Sequence, residues 1–118
     1  MRSPQDLLPL RPVDFLILLM LAPKERHGYG IMQDVFEHTG GRIELEAGSL
    51  YRTIRRLGAE GMLEESARRP AADLDDERRR YYRLTPLGRR VVGAEAARLR
   101  NLVRIAESAR LLDPLPTR

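Results

Sequence analysis

Apolar and polar positions follow one another with a period that changes several times along the chain, and each change marks an element. Residues 13–22 (VDFLILLMLA) are apolar apart from Asp14, so a helix here must be covered on several sides. Pro23-Lys24-Glu25-Arg26 predicts a turn. A second helix is expected over about 29–37, with Ile31, Met32 and Val35 inward and Gly40-Gly41 as its stop. Residues 42–47 (RIELEA) alternate briefly, as a short strand or an extended link does. The helical period then returns over about 49–60. Leu50, Ile54 and Leu57 fall on one face, and Gly61 ends the run.

Residues 62–66 and 79–84 predict the two strands of a hairpin around a loop, 68–78, rich in Pro, Ala and Asp. The second strand alternates Arg80, Tyr82 and Leu84 against Tyr81 and Arg83, with Tyr82 and Leu84 as the inward pair. Thr85-Pro86 places an N-cap and a first-turn proline at the start of a last helix, expected over 86–112. On it Val92, Ala96, Leu99, Val103 and Ala106 step by four and three, a coiled-coil-like seam that Leu102, Ile105, Ala109 and Leu112 broaden. A domain this small cannot cover such a helix, so a second copy of the chain is expected against it.

This order of elements defines the expected fold class: mainly α (α+β), a winged helix-turn-helix with a long C-terminal dimerisation helix. The organisation that follows is a flexible arm (1–11), a reading domain (12–85), the dimerisation helix (86–112) and a loose tail (113–118).

Composition changes the picture in two ways. With 21 basic and 17 acidic residues the formal net charge is only +4, so the position of the charge matters more than its sum. Lys24 is the only lysine, and arginine forks suit phosphates and guanine edges. A GC-rich genome also explains part of that bias. The absence of cysteine excludes disulfides, thiolate metal sites and cysteine nucleophiles. Residues 1–12 do not read as a signal peptide, and the apolar run 15–22 is too short to span a bilayer, so a cytoplasmic protein without a membrane partner is expected. His27 and His38, the two histidines, have no ligand spacing around them. The string His27-Gly28-Tyr29-Gly30 reads as a tight turn between helices rather than a phosphate loop. No cofactor, metal or catalytic constellation is expected, and no enzyme.

The chemistry concentrates on two arginine clusters. With Leu50, Ile54 and Leu57 buried, Ser49, Arg52, Arg55 and Arg56 point away from the core and Tyr51 lies on the flank. The arginines are candidates for base edges, while the hydroxyls of Ser49 and Tyr51 suit phosphate oxygens. Taken alone, this face is equally a solvated basic stripe. The second cluster weighs towards a polyanion: Arg78, Arg79, Arg80, Arg83, Arg89 and Arg90 lie in a stretch, 78–90, without Asp or Glu. On a hairpin beside the helix they form a wing, with Tyr81 on its outer side, whose binding weakens as salt displaces it.

The strings HGYGIMQDV (27–35), GSLYRTIRRL (48–57), EGML (60–63) and RRRYYRLTPLGRRVV (78–92) together resemble the PadR family of bacterial transcriptional regulators, in the family's order and over most of the chain. The single C-terminal helix resembles the family's short branch. The resemblance implies a homodimer in which the last helix packs on the partner's first and last helices. Interface candidates are then Phe15, Leu16, Leu19, Val92, Ala96, Leu99, Leu102, Val103 and Ala106. It also implies double-stranded DNA as partner, a repressor, and in many members release by a small-molecule effector, expected here near Phe15, Leu19, Leu99 and Val103. By motif, Tyr29 and Tyr51 are implied phosphate contacts. Two departures stand out: Ala47 replaces a proline common before the glycine of the third helix, and the absence of Trp argues against a flat drug stacked across the dimer. The rival reading is a winged-helix module for protein contacts without sequence-specific DNA binding. The arginines on the third helix weigh against it.

Overall fold

The computed structural model describes residues 3–66 and 80–113. Within them lie α1 (Pro12–Met20), β1 (Arg26–His27), α2 (Gly28–His38), α3 (Ala47–Ala59), β2 (Leu63–Glu65), β3 (Tyr81–Leu84) and α4 (Pro86–Ser108), preceded by a 3₁₀ turn, Pro4–Leu7. This is a winged helix-turn-helix with a long last helix, as the sequence predicts.

Pro12 opens α1 with a φ already fixed for a helix. Ile17, Leu18 and Leu21 then enter a core shared with Ile31, Val35, Leu50, Ile54, Leu57, Met62, Leu84 and Val91. The segment before α1 was expected to be a flexible arm. It is instead docked: Leu7 and Leu8 pack on the core, Leu10 is buried, and the Leu10 amide donates to the Glu95 carboxylate at 2.9 Å. Sequence pattern hides this because the acceptor lies on the far helix.

His27 caps α2, its Nδ1 accepting from the Gly30 amide at 2.9 Å. Gly40 and Gly41, at φ 63° and 79°, end α2, a conformation that favours glycine. Of the two forms that the alternation over 42–47 allows, a short strand or an extended link, residues 42–46 take the link. Ile43 and Leu45 turn towards the core, and among the described residues no strand pairs with them. The edge of the sheet is supplied by β1, from the segment read as a turn. The order is β1-β3-β2, all antiparallel, with Arg26 opposite Tyr82, and Leu63, Glu64 and Glu65 opposite Leu84, Arg83 and Tyr82.

Helix α3 begins at Ala47, two residues before its expected start at Ser49, and its C-terminus is closed by Gly61 at φ 84°. Helix α4 starts at the Thr85 cap, whose hydroxyl accepts from the Gly88 amide at 3.0 Å and donates to the Gly61 carbonyl at 2.5 Å. It ends at Ser108, short of residue 112, and Arg110 turns out of the helix at φ 60°.

Candidate nucleic-acid interface

Helix α3 buries Leu50, Ile54 and Leu57 against the core, which turns the opposite face outwards. Arg52 sits on that face, exposed, and among the described residues it has no acidic partner. Its guanidinium lies back along the helix, where a Cβ on Gly48 would meet Nη1 at 3.5 Å. Ser49 is also exposed and donates to the Glu46 carbonyl at 3.1 Å. Arg55 leans to the wing side, lining a shallow cavity of about 340 Å³ with Arg80, Glu64 and Glu65.

Arg56 departs from the expectation that grouped it with the base-edge arginines. Its Nη2 meets both carboxylate oxygens of Asp14, at 2.8 and 2.9 Å, and its Nη1 meets Glu60 at 3.1 Å. The hydrogen bond to Asp14 dominates, and it holds the guanidinium protonated more firmly than usual against partial burial. The reason is positional: Arg52 stands opposite the buried face, whereas Arg56 lies on the flank that looks towards α1. Asp14, the lone charge of the apolar block, is the functional neighbour that sequence reasoning left unassigned.

Tyr51 also differs from a surface hydroxyl. It is only 8% exposed, and its ring packs on Gly28, where an added Cβ would lie 2.4 Å from the hydroxyl. The glycine of the HGYG string is thus a site of close approach between α2 and α3. Tyr29, in the first turn of α2, is 59% exposed, its ring tilted against His27 with centroids 6.5 Å apart.

On the wing, Tyr82 and Leu84 are buried and Arg83 is exposed, as the alternation predicts. Tyr81 is half-buried and meets the His27 ring edge-on at 5.3 Å. The basic residues at the base of the wing are balanced across the sheet: Arg83 pairs with Glu64 at 3.0 Å and Arg80 with Glu65 at 3.7 Å. Such cross-strand ion pairs contribute little to stability at a surface, but they lower the local positive charge. Arg78 and Arg79, the other wing candidates, lie outside the described residues.

The seam of α4 divides in two. Val92 faces its own core and is 6% exposed, so it is removed from the interface candidates; the early turns of α4 lie over the domain. From residue 96 on, the helix leaves that support. Ala96, Leu102 and Val103 are exposed, Leu99 and Ala106 half-buried, and Ile105 is 58% exposed. Phe15, Leu16 and Leu19 are half-buried on α1. Phe15, Leu16 and Leu99, with Leu10, Pro12 and Ile43, line a cavity of about 330 Å³. At its end sits Glu95, 1% exposed. Hydrogen bonds from Arg98, and secondarily from the Leu10 amide, hold its carboxyl below the usual value although burial acts the other way. No group of potential metal ligands occurs among the described residues, and none of their helices is long and apolar enough to cross a membrane.

A third helix with an exposed arginine, a small wing and an overhanging apolar helix define the class: winged helix-turn-helix proteins. Comparison narrows it. Residues 17–94 match the family model described as the transcriptional regulator PadR-like family, and the chain belongs to that family. It is 36% identical over 88 residues to transcriptional regulator Rv3488 of Mycobacterium tuberculosis, covering 75% of this chain and 76% of that one. Among solved structures, a PadR family transcription regulator from Clostridium difficile superposes with a TM-score of 0.68 at 23% identity, over 81% of this chain and 95% of that one. Bacillus subtilis PadR in complex with operator DNA does so with a TM-score of 0.60 at 20% identity, over 93% and 52%. At these identities the structures speak to the fold. The family is one of regulators and not of enzymes.

Proposed function

We propose that the chain is a sequence-specific DNA-binding repressor that works as a two-fold homodimer. Each protomer lays α3 in the major groove of one half of an inverted repeat, with half-sites roughly 34–36 Å apart. Arg52 and Arg55 read base edges, and Tyr29 and Ser49 hold phosphates. Tyr51 supports the same contact from beneath by fixing α3 on α2, and the wing, with Arg78, Arg79, Arg80 and Tyr81, rides on the backbone. The observation that carries this reading is the outward, acid-free position of Arg52 on α3, opposite three buried aliphatic residues. A basic face of this kind suits a polyanion and is a poor core for a protein interface.

The partner for α4 is a second copy. Leu102, Val103 and Ile105 are about half exposed, and burying the exposed half would stabilise a dimer by roughly 0.7–1.5 kcal/mol per side chain. Release by an apolar small molecule is supported by the cavity of Phe15, Leu16 and Leu99 beside that seam. A DNA partner implies the cytoplasm. Selection of bound duplexes from random DNA tests the reading: an enriched inverted repeat is expected, and no enrichment over the starting pool would overturn it.

A further inference from the structure

Asp14 is an unusual residue to find where it is. It is 5% exposed on a helix otherwise apolar, and both its oxygens are taken by one guanidinium. Burying a carboxylate is costly unless it is paired and hydrogen-bonded, and here the pairing reaches across forty-two positions of sequence to Arg56 on α3. The bond joins helices whose backbones are not closely packed: α1 lies on α2 and α4, whereas α3 lies on α2 and β2. The bridge thus ties α3 directly to α1, while the packing of α3 is on the α2 side and the wing side. Arg56 reaches back as well to Glu60 at the C-terminal end of the same helix, which fixes the fork in one orientation. The two Asp14 oxygens share the single Nη2 while Nη1 is held by Glu60, so charge-assisted hydrogen bonds fix the guanidinium at two points.

We infer that Arg56 and Asp14 together form a positioning pair that sets the orientation at which α3 is presented, so that sequence discrimination depends on Asp14 although it touches no DNA. The inference rests on the proposal that α3 is the reading helix. Base contacts tolerate little displacement, because a bidentate grip is lost with a small tilt, whereas attraction to phosphates survives it. Arg56, neutralised by two acids, contributes little to the phosphate term. The pair therefore governs specificity more than affinity for DNA at large.

The test uses the full-length protein, a duplex selected from random DNA, and an unselected duplex of equal length, measured from low to raised salt. Wild type, Asp14→Asn, Arg56→Gln and the double variant are compared well below their unfolding midpoints. We expect each single variant to lower the ratio of selected to unselected affinity by about tenfold, the scale of one misplaced base contact. The double variant falls no further, since both changes break one link. Affinity for the unselected duplex is kept in Asp14→Asn, a pattern that partial unfolding does not give, and the salt slope of Arg56→Gln stays at the wild-type value. An unchanged ratio in Asp14→Asn would overturn the inference. So would a salt slope lowered by about 0.9 in Arg56→Gln, the mark of a lost phosphate contact. Failure of wild type itself to prefer the selected duplex would instead refute the reading-helix proposal beneath it.

Discussion

Two glycines of α4 should respond in opposite senses to the same substitution. A Cβ on Gly88 would sit 1.8 Å from the Met62 carbonyl oxygen, where side-chain carbons essentially never come closer than 3.0 Å. The N-terminus of α4 must therefore back away by at least 1.2 Å, the difference of those two distances. The obstacle is backbone, so no rotamer relieves it. The shift breaks the bond from the Thr85 hydroxyl to the Gly61 carbonyl, 2.5 Å, and that from the Thr85 amide to the Met62 carbonyl, 3.2 Å. At about 0.5–1.5 kcal/mol for each hydrogen bond and about 1–3 kcal/mol for overpacking, Gly88→Ala should cost about 2–6 kcal/mol. Gly93, five positions on, has nothing within 4 Å of its added Cβ. There alanine should stabilise the helix by about 0.5–1 kcal/mol. Thermal unfolding followed by circular dichroism at one fixed protein concentration reads both. At roughly 4 °C per kcal/mol for a domain of this size, the midpoint falls by about 8 °C or more for Gly88→Ala and rises by about 2–4 °C for Gly93→Ala. A Gly88→Ala midpoint within about 4 °C of wild type would refute the close approach of α4 to the β2 turn.

The docked N-terminal segment carries a pH prediction. The Glu95 carboxyl titrates below its ordinary value, chiefly through Arg98 and also through the Leu10 amide, so its contribution is present above the unfolded value near 4.5 and is lost as pH falls through the lower folded value. Glu95→Gln should lower the unfolding midpoint at pH 7 and converge on wild type at acid pH; parallel curves down to pH 3 would contradict the pairing. The exposed end of α4 carries another. Ile105→Glu should weaken the proposed dimer at least about tenfold, since two side chains whose burial is worth about 1 kcal/mol each are lost per dimer. Light scattering at micromolar concentration checks it, and a variant as dimeric as wild type would move the interface elsewhere.

Much of the fold is legible in the sequence because its strongest signals are local. The face of Leu50, Ile54 and Leu57, the Thr85-Pro86 start and the Gly40-Gly41 stop are each decided within a few residues. The misses involve partners distant in sequence. Strand β1 is two residues long, too short for any period, and exists because Tyr81 and Tyr82 offer it an edge. Residues 42–47, which the alternation left open between a strand and a link, run as a link over 42–46 because among the described residues no strand pairs with them. Leu10 is fixed by Glu95, eighty-five positions away. The helical period also treats Arg52, Arg55 and Arg56 as equals; only the position of Asp14 separates a tethered arginine from an outward one. In the same way, the α4 seam cannot say where the helix leaves its own core, which is why Val92 belongs with the core and Ile105 does not.

The central claim is that α3 reads DNA through Arg52, and the most direct measurement is the affinity of Arg52→Ala for the selected duplex against an unselected one. The account predicts that the variant stays folded and loses about 1–3 kcal/mol of discrimination at one base pair of each half-site. An Arg52→Ala protein that binds the selected duplex with wild-type affinity and wild-type preference would contradict it.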